Sequence, residues 1–208
     1  MYVKHVNRIM MSDEMMQQAI KLTQENDDEL VARIAARDHG AMRLASDRHA
    51  NMVWRVAYRM LGDATEAEDV AQESLLKLWN HADRWKAGGP GIAPWLKKVT
   101  VNQCLDRLRR KRFASDEEVP EREDETPLAD HQIEAVETGQ AVKDCIETLP
   151  DRQRAAVILT YYEEQPNQGA AETLDMQLKA FESLLFRARS SLKGCVERKG
   201  VVAQGRAG

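Results

Sequence analysis

The fold of this chain is decided by the stretch WLKKVTVNQCLDRLRRKR, residues 95–112, and by the change in charge that follows it. The stretch carries seven lysines and arginines against one aspartate. The next 28 residues, 113–140, carry ten aspartates and glutamates against one arginine. The whole chain is at −4 and this acidic segment is at −9, so everything outside it sums to +5. A basic helical block followed by an acidic, proline-containing tether is typical of a nucleic-acid-binding module followed by a linker.

The composition limits the class of protein. With 208 residues, 43% hydrophobic and 31% charged, the chain can form one domain or two small helical ones. No apolar run approaches the roughly 18 residues that a membrane span needs, and no secretory signal precedes the first helix, so we expect a cytoplasmic protein without membrane insertion. Cys104, Cys145 and Cys195 are far apart and odd in number, which predicts reduced thiols and no metal site, with a structural disulfide or a zinc site as the alternative.

The sequence before the basic stretch predicts an all-α module. Residues 1–26 have weak periodicity and form an N-terminal extension, whereas helical periodicity begins at Asp27. Gly62 predicts a helix end, and TEAE at residues 65–68 has the spacing of a capping box for a helix with Leu76 on its apolar face. Three glycines and two prolines then predict a loop before the basic stretch, with Pro94 as the first residue of the basic helix.

A second helical module follows the acidic linker, residues 113–139. A short helix, a turn at residues 175–177 and a long helix to about residue 193 predict a helix-turn-helix, whose second helix enters the DNA major groove. The residues of one buried stripe recur along the long helix: Phe181, Leu185, Ala188 and Leu192. The predicted fold class is therefore all-α, with two small helical domains joined by an acidic linker.

Four segments carry a resemblance to a known family. Two segments resemble successive helices of that family's N-terminal domain. The first is AEDVAQESLLKLW at residues 67–79, and the second is the pattern WL, Asn102 and DRLRR within residues 95–110. LPDRQR at residues 149–154 resembles the opening of its C-terminal domain, and residues 170–192 resemble its helix-turn-helix. The ordered set, which covers residues 27–193, resembles the bacterial extracytoplasmic-function (ECF) sigma factors of the sigma-70 family.

This resemblance implies a stress-responsive promoter-specificity subunit of RNA polymerase, with no cofactor. Residues 27–112 would form the region 2 domain, which docks on the clamp coiled coil of the largest polymerase subunit and opens the −10 element. Residues 140–194 would form the region 4 domain, which contacts the polymerase flap and reads the −35 element as duplex DNA, and residues 195–208 a tail. The family also implies an anti-sigma factor as an inhibitory partner.

The residues expected at the −10 element lie on the glycine-rich loop and the basic helix. A site for a splayed, single-stranded base combines cationic contacts with a shaped loop or an aromatic platform. Asn102 could bind a base edge, and the arginines would hold phosphates. The expected set is Trp85, Lys97, Lys98, Asn102, Arg109, Arg110 and Arg112. For Lys97 and Lys98 a plain solvated helix face remains an alternative, and Asp106 is expected to pair with an arginine.

The polymerase contact is expected on the helix before the loop. Its exposed side is acidic, which suits a basic protein surface and not DNA. We therefore expect Asp69, Gln72 and Glu73 to bind polymerase, with a solvated helix face as the alternative.

Readout of the −35 element is expected from Lys179, Glu182, Ser183 and Arg187. Positions 182 and 184, where basic residues are frequent in the family, hold Glu182 and Leu184, which predicts an atypical or weakly held element. The turn holds Asp175 where the family usually has glycine; aspartate tolerates the left-handed conformation at some cost.

Two functions other than that of a sigma factor are less well supported by the sequence. A sigma-like mimic could titrate an anti-sigma factor without binding DNA, but a decoy needs neither the basic stretch nor the glycine-rich loop. An enzyme has little support, because no nucleophile elbow or phosphate-binding glycine loop is present and the five histidines belong to no recognisable motif. We expect no catalytic residues.

The acidic segment generates the first prediction. Residues 113–140 contain few apolar side chains and no periodic stripe, so the segment cannot bury enough surface to order itself. Limited proteolysis of the free protein should cut there and release two helical fragments, of which the C-terminal one should bind duplex DNA weakly and in a salt-sensitive way. Uniform resistance to protease across the segment would contradict this prediction.

Overall fold

The computed structural model describes residues 26–115 and 133–199, and both ranges are built from helices and short helical turns. The predicted all-α fold class is confirmed. The N-terminal extension, apart from its last residue, and the central part of the acidic linker lie outside the described residues. Within the two ranges, no helix combines the length and apolarity needed to cross a bilayer.

The helices lie on either side of the linker, and each group is called a module here. The first contains α1 (Asp27–Ala35), α2 (His39–Leu61), α3 (Ala64–His81), a 3-10 turn (Ala82–Arg84) and α4 (Ile92–Ser115). The second contains α5 (Ile133–Glu147), α6 (Asp151–Val157) with a π-helical turn (Ile158–Tyr162), α7 (Asn167–Thr173) and α8 (Leu178–Arg198). Helix α5 begins inside the segment predicted as linker.

Short polar side chains set the helix boundaries. Gly62 ends α2 at φ 73°, as its position predicts. Asp63 caps α3, because its carboxylate accepts a hydrogen bond from the Glu66 amide at 2.8 Å. The capping box predicted at Thr65 is therefore wrong: Thr65 lies inside the first turn. Pro94 is the third residue of α4, still within the first turn, where a missing amide hydrogen costs no helical bond.

A buried polar network fixes α4 against α3. Gln103 Nε2 donates to Ser74 Oγ at 2.8 Å, and Ser74 Oγ lies 3.2 Å from Thr100 Oγ1. Thr100 in turn donates to the Leu96 carbonyl at 2.7 Å, so Ser74 must be the donor to Thr100. Because each of these bonds satisfies a buried group, the network holds one register between the two helices.

One apolar core runs through both modules. Val56 and Met60 of α2 belong to the same buried cluster as Ile158 after α6 and Phe181 of α8. A second cluster, around Leu30 and other residues of the first module, packs that module internally. The modules therefore do not form separate bodies in this structure, and this packing conflicts with the release of two separate fragments that the sequence predicts on proteolysis.

A buried arginine joins the two modules at the centre of this seam. Arg154 of α6 donates from Nη1 to the Met60 carbonyl at 2.7 Å, and from Nη2 to the Glu147 carbonyl. Met60 lies in the last turn of α2 and Glu147 ends α5, so the guanidinium satisfies helix-terminal carbonyls on both sides. Burial lowers the pKa of Arg154, and the nearby carboxylates of Asp151 and Glu147 oppose that shift.

The expectation of three reduced thiols is wrong. Cys145 of α5 and Cys195 of α8 form a disulfide, with 5.8 Å between their Cα atoms and 50 residues between them in sequence. Only the packing of α5 on α8 brings them together, which their wide spacing concealed. Cys104 is a free thiol, as expected; burial raises its pKa to about 12 and keeps it unreactive.

Reduction of this disulfide should lower the stability of the second module. Closing a 50-residue loop removes unfolded-state entropy worth up to about 4 kcal/mol. Thermal melts of the wild type should therefore shift downward on addition of a reductant, and Cys195→Ser should melt low with or without it. A wild-type melt that ignores the reductant, once thiol titration shows both cysteines free, would contradict this prediction.

Candidate nucleic-acid and protein interfaces

The acidic face predicted on α3 is present and carries an apolar residue. Asp69, Gln72 and Glu73 are exposed on one side of the helix. Leu76 extends that side by one turn and is 58% exposed, so its assignment to the apolar core is wrong. The sequence indicates that Leu76 shares a face with the three polar residues, because positions 69, 72, 73 and 76 follow helical spacing.

Arg107 of α4 organises this acidic face. It donates to Glu73 Oε1 at 2.7 Å and lies 3.9 Å from an Asp69 carboxylate oxygen. The arginine side chain is 21% exposed and the two acids more than half. The carboxylates are therefore held in place while still accessible to a partner.

Helix α4 exposes part of the predicted cationic surface. Asn102, Arg109 and Arg110 all face solvent. Arg109 donates to Asp106 at 2.9 Å, which confirms the expectation that Asp106 pairs with an arginine. These three residues can reach a polyanion without any rearrangement of the chain.

The glycine-rich loop is anchored by two acids that sequence reasoning overlooked. Asp28 of α1 accepts from the Trp85 indole at 3.1 Å and from the Gly88 amide at 2.8 Å. Asp27 accepts from the Ile92 amide at 2.7 Å. Gly91 has φ 90°, and a Cβ there would lie 2.6 Å from the Asp27 carboxylate, so only glycine fits. The loop is thus held in one shape by α1.

Trp85 is half-buried within that loop. Its ring meets Trp95 edge to face, with 6.1 Å between centroids. The indole nitrogen is already bonded to Asp28. Asp28 and Trp95 therefore hold the Trp85 side chain in place.

Three of the predicted −10 residues are engaged by the second module. Lys97 Nζ lies 3.3 Å from the Glu163 carboxylate, Lys98 pairs with Asp175, and Arg112 pairs with Asp151. The sequence predicted these cations as a solvent-facing or DNA-facing surface. In the structure each of the three meets a carboxylate from the other module, because α4 packs between the first module and α6 and α7.

The helix-turn-helix presents its predicted reading face to solvent. Lys179, Glu182, Ser183 and Arg187 are all exposed along α8. Phe181, Leu185 and Ala188 are buried on the opposite side, as predicted, and Leu192 is partly buried against the same core.

Two further residues clarify this reading face. Leu184 is 7% exposed, so the leucine at that position belongs to the core and takes no part in readout. Phe186 was overlooked, although it is 71% exposed and follows Glu182 and Ser183 at helical spacing. The turn before α8 places Asp175 at φ 50°, the left-handed conformation expected there.

Comparison with known proteins gives a consistent result. The chain matches two family descriptions, Sigma-70 region 2 over residues 46–114 and Sigma-70, region 4 over residues 139–192. It is 30% identical over 175 residues to the ECF RNA polymerase sigma factor SigL of Mycobacterium tuberculosis, which covers 82% of this chain and 97% of SigL. It is also 30% identical over 150 residues to SigE of Mycolicibacterium smegmatis, which covers 70% of this chain and 58% of SigE.

A solved structure shares the fold. CnrH, determined in complex with the cytosolic domain of CnrY, is similar with a TM-score of 0.63 at 22% sequence identity. The match covers 83% of this chain and 97% of that one.

Proposed function

Because this chain belongs to the ECF sigma factors of the sigma-70 family, we propose that it binds core RNA polymerase and directs it to promoters by recognising −10 and −35 elements. The observation that carries the proposal is the combination of two exposed surfaces in one chain: the cations of α4 beside the anchored loop, and the reading face of α8. A mimic that only titrates an anti-sigma factor would need neither surface.

At the −35 element, α8 would lie in the major groove. Lys179 and Arg187 would bind phosphate or guanine, and Glu182 would accept from a cytosine amino group. Phe186 adds an apolar contact that fits a thymine methyl group. This mixed chemistry supports the atypical element expected from the sequence.

At the −10 element, the loop and α4 would hold a separated strand. Asn102 can bond a base edge while Arg109 and Arg110 hold phosphates. The loop keeps its shape because Asp27 and Asp28 bind its backbone, so the site is preorganised.

The polymerase contact is assigned to the acidic face of α3. Leu76 would supply the apolar centre, and Asp69, Gln72 and Glu73 the surrounding polar contacts to a basic surface on the polymerase clamp. We propose an anti-sigma factor as a further partner, by analogy with CnrH, which was solved with CnrY.

Run-off transcription with purified core polymerase on genomic promoter fragments tests the function. The wild type should give promoter-specific transcripts. Leu76→Ala should weaken association with core polymerase and leave duplex binding intact, whereas Phe186→Ala should do the reverse. The two variants control for each other, because each removes one exposed apolar side chain at little cost to folding. Absence of any specific transcript from a holoenzyme that assembles would overturn the proposal.

Neutralising Arg109 and Arg110 together should weaken promoter binding by roughly 1–3 kcal/mol and reduce its salt dependence, because two phosphate contacts are lost. Binding to core polymerase should not change. The matched control neutralises Arg43 and Arg55, two exposed arginines on α2. If the control pair weakened promoter binding equally, the effect would be one of net charge, and the assignment to α4 would be wrong.

A further inference from the structure

We propose that a cavity between the two modules is a binding site for a small planar aromatic anion, such as an aromatic carboxylate. This site would give the protein a chemical input beyond its proposed role at promoters. The cavity has a volume of about 350 Å³ and lies where α2 meets α5 and the π-helical turn. Its volume is at the lower end for small-molecule sites, which suits a ligand of one or two rings. It is called the seam cavity below.

Flat rings and aliphatic side chains form much of the wall of the seam cavity. Trp54 and Tyr58, one turn apart on α2, stack with 5.1 Å between their ring centroids and 4° between their planes. Tyr162 lines the cavity from the π-helical turn, and the buried side chains of Ile146 and Ile158 line it as well. Such a wall favours a planar apolar body, which can stack on an aromatic ring.

Arg59 of α2 supplies a cationic group. Its guanidinium lies over the Tyr162 ring, 4.5 Å from the centroid. Its Nη1 is buried and has no hydrogen-bond acceptor among the described residues, since the Glu163 carboxylate lies 4.0 Å away. The Arg59 side chain is 32% exposed overall, so a ligand can reach the guanidinium. A carboxylate in the cavity would supply the missing acceptor, and a planar guanidinium can bind both of its oxygens.

Lys143 of α5 supplies a second cationic group, from the other module. Its Nζ lies 5.2 Å from the centroid of the Tyr58 ring and 3.3 Å from the Tyr58 hydroxyl oxygen. A phenol does not neutralise an ammonium charge, so this charge still attracts an anion. Both cations therefore lie beside the rings that would hold the apolar body of the ligand. This arrangement favours an aromatic anion over an aromatic cation.

An acid, Glu147, also lines the cavity. Its carboxylate lies beside Gly62 at the end of α2, where an added Cβ would be 3.4 Å from Oε1. With Arg59 and Lys143 on the same cavity, cations outnumber this acid. The lining therefore carries a net positive charge.

Both modules are needed to form the seam cavity. Trp54, Tyr58 and Arg59 belong to α2, whereas Lys143 and Tyr162 come from the second module. A ligand that contacts both sides binds the packed arrangement of the modules and not a separated one. It must therefore stabilise that arrangement by mass action.

The test titrates sodium 1-naphthoate, a planar two-ring carboxylate, into the free full-length protein by isothermal titration calorimetry. One naphthoate should bind per chain, with a Kd below about 1 mM. 1-Naphthylmethylammonium keeps the rings and reverses the charge, and should bind about tenfold more weakly or worse. Decahydronaphthalene-1-carboxylate keeps the charge but has no aromatic ring, and should bind about three- to tenfold more weakly. Equal binding of either comparison probe, or no saturable binding of naphthoate, would overturn the proposal.

Variants locate the bound probe. Arg59→Gln and Lys143→Gln each remove one cation, and each should weaken naphthoate binding about threefold or more. Arg43→Gln is the matched control, because Arg43 is exposed on α2 outside the cavity, and it should leave binding unchanged. Circular dichroism checks each fold, and Lys143→Gln decides if Arg59→Gln does not fold. Unchanged binding in the folded cavity variants, or an equal loss in Arg43→Gln, would contradict the assignment.

Thermal melts test whether the ligand bridges the modules. Saturating naphthoate should raise the melting temperature of the wild type, and this rise should shrink in both Arg59→Gln and Lys143→Gln, which alter opposite sides of the cavity. A rise that both variants retain in full would place the probe elsewhere and overturn the proposal. These measurements use neither polymerase nor DNA, so their outcome is separate from that of run-off transcription.

Discussion

The packing of the two modules against each other depends on one buried cation. Arg154 lies in a seam of apolar residues and remains acceptable there because helix-terminal carbonyls of both modules accept its hydrogen bonds. A buried arginine without such partners would be strongly destabilising. Met60 and Glu147 likewise need a donor, because the last carbonyls of a helix have no partner within it. The same three groups therefore satisfy one another, and they fix where α2, α5 and α6 meet.

From this seam follows an asymmetry between the two surfaces that we propose to bind DNA. The helix-turn-helix turns its stripe of Phe181, Leu185 and Ala188 toward the seam and leaves its polar side in solvent. Helix α4 cannot do the same, because it lies between its own module and the second one. Lys97 and Lys98 are paired with carboxylates of the second module, while Asn102, Arg109 and Arg110 stay exposed. Packing alone thus divides one basic helix into a protected part and an accessible part.

Much of the local structure could be predicted from the sequence. The order of helices, the end of α2 at Gly62, the glycine-rich loop and the buried stripe of α8 follow from local spacing and backbone preference, which act over a few residues. The family resemblance added the roles that we propose for α3, α4 and α8. Two of the errors were local as well: Asp63 is as good a cap as Thr65 and comes first, and Leu76 belongs to the acidic face that its neighbours define.

By itself, the sequence determined that the chain is helical and which helices carry charge, because periodicity and composition act within a single helix. Only the tertiary structure decided which charges are available. Lys98 and Arg110 look alike in sequence, yet one meets Asp175 and the other faces solvent. Cys145 and Cys195 likewise become partners only when α5 packs on α8. Contacts between residues far apart in the chain arise from how helices pack against one another, and no local pattern encodes which side of a helix a distant module will cover.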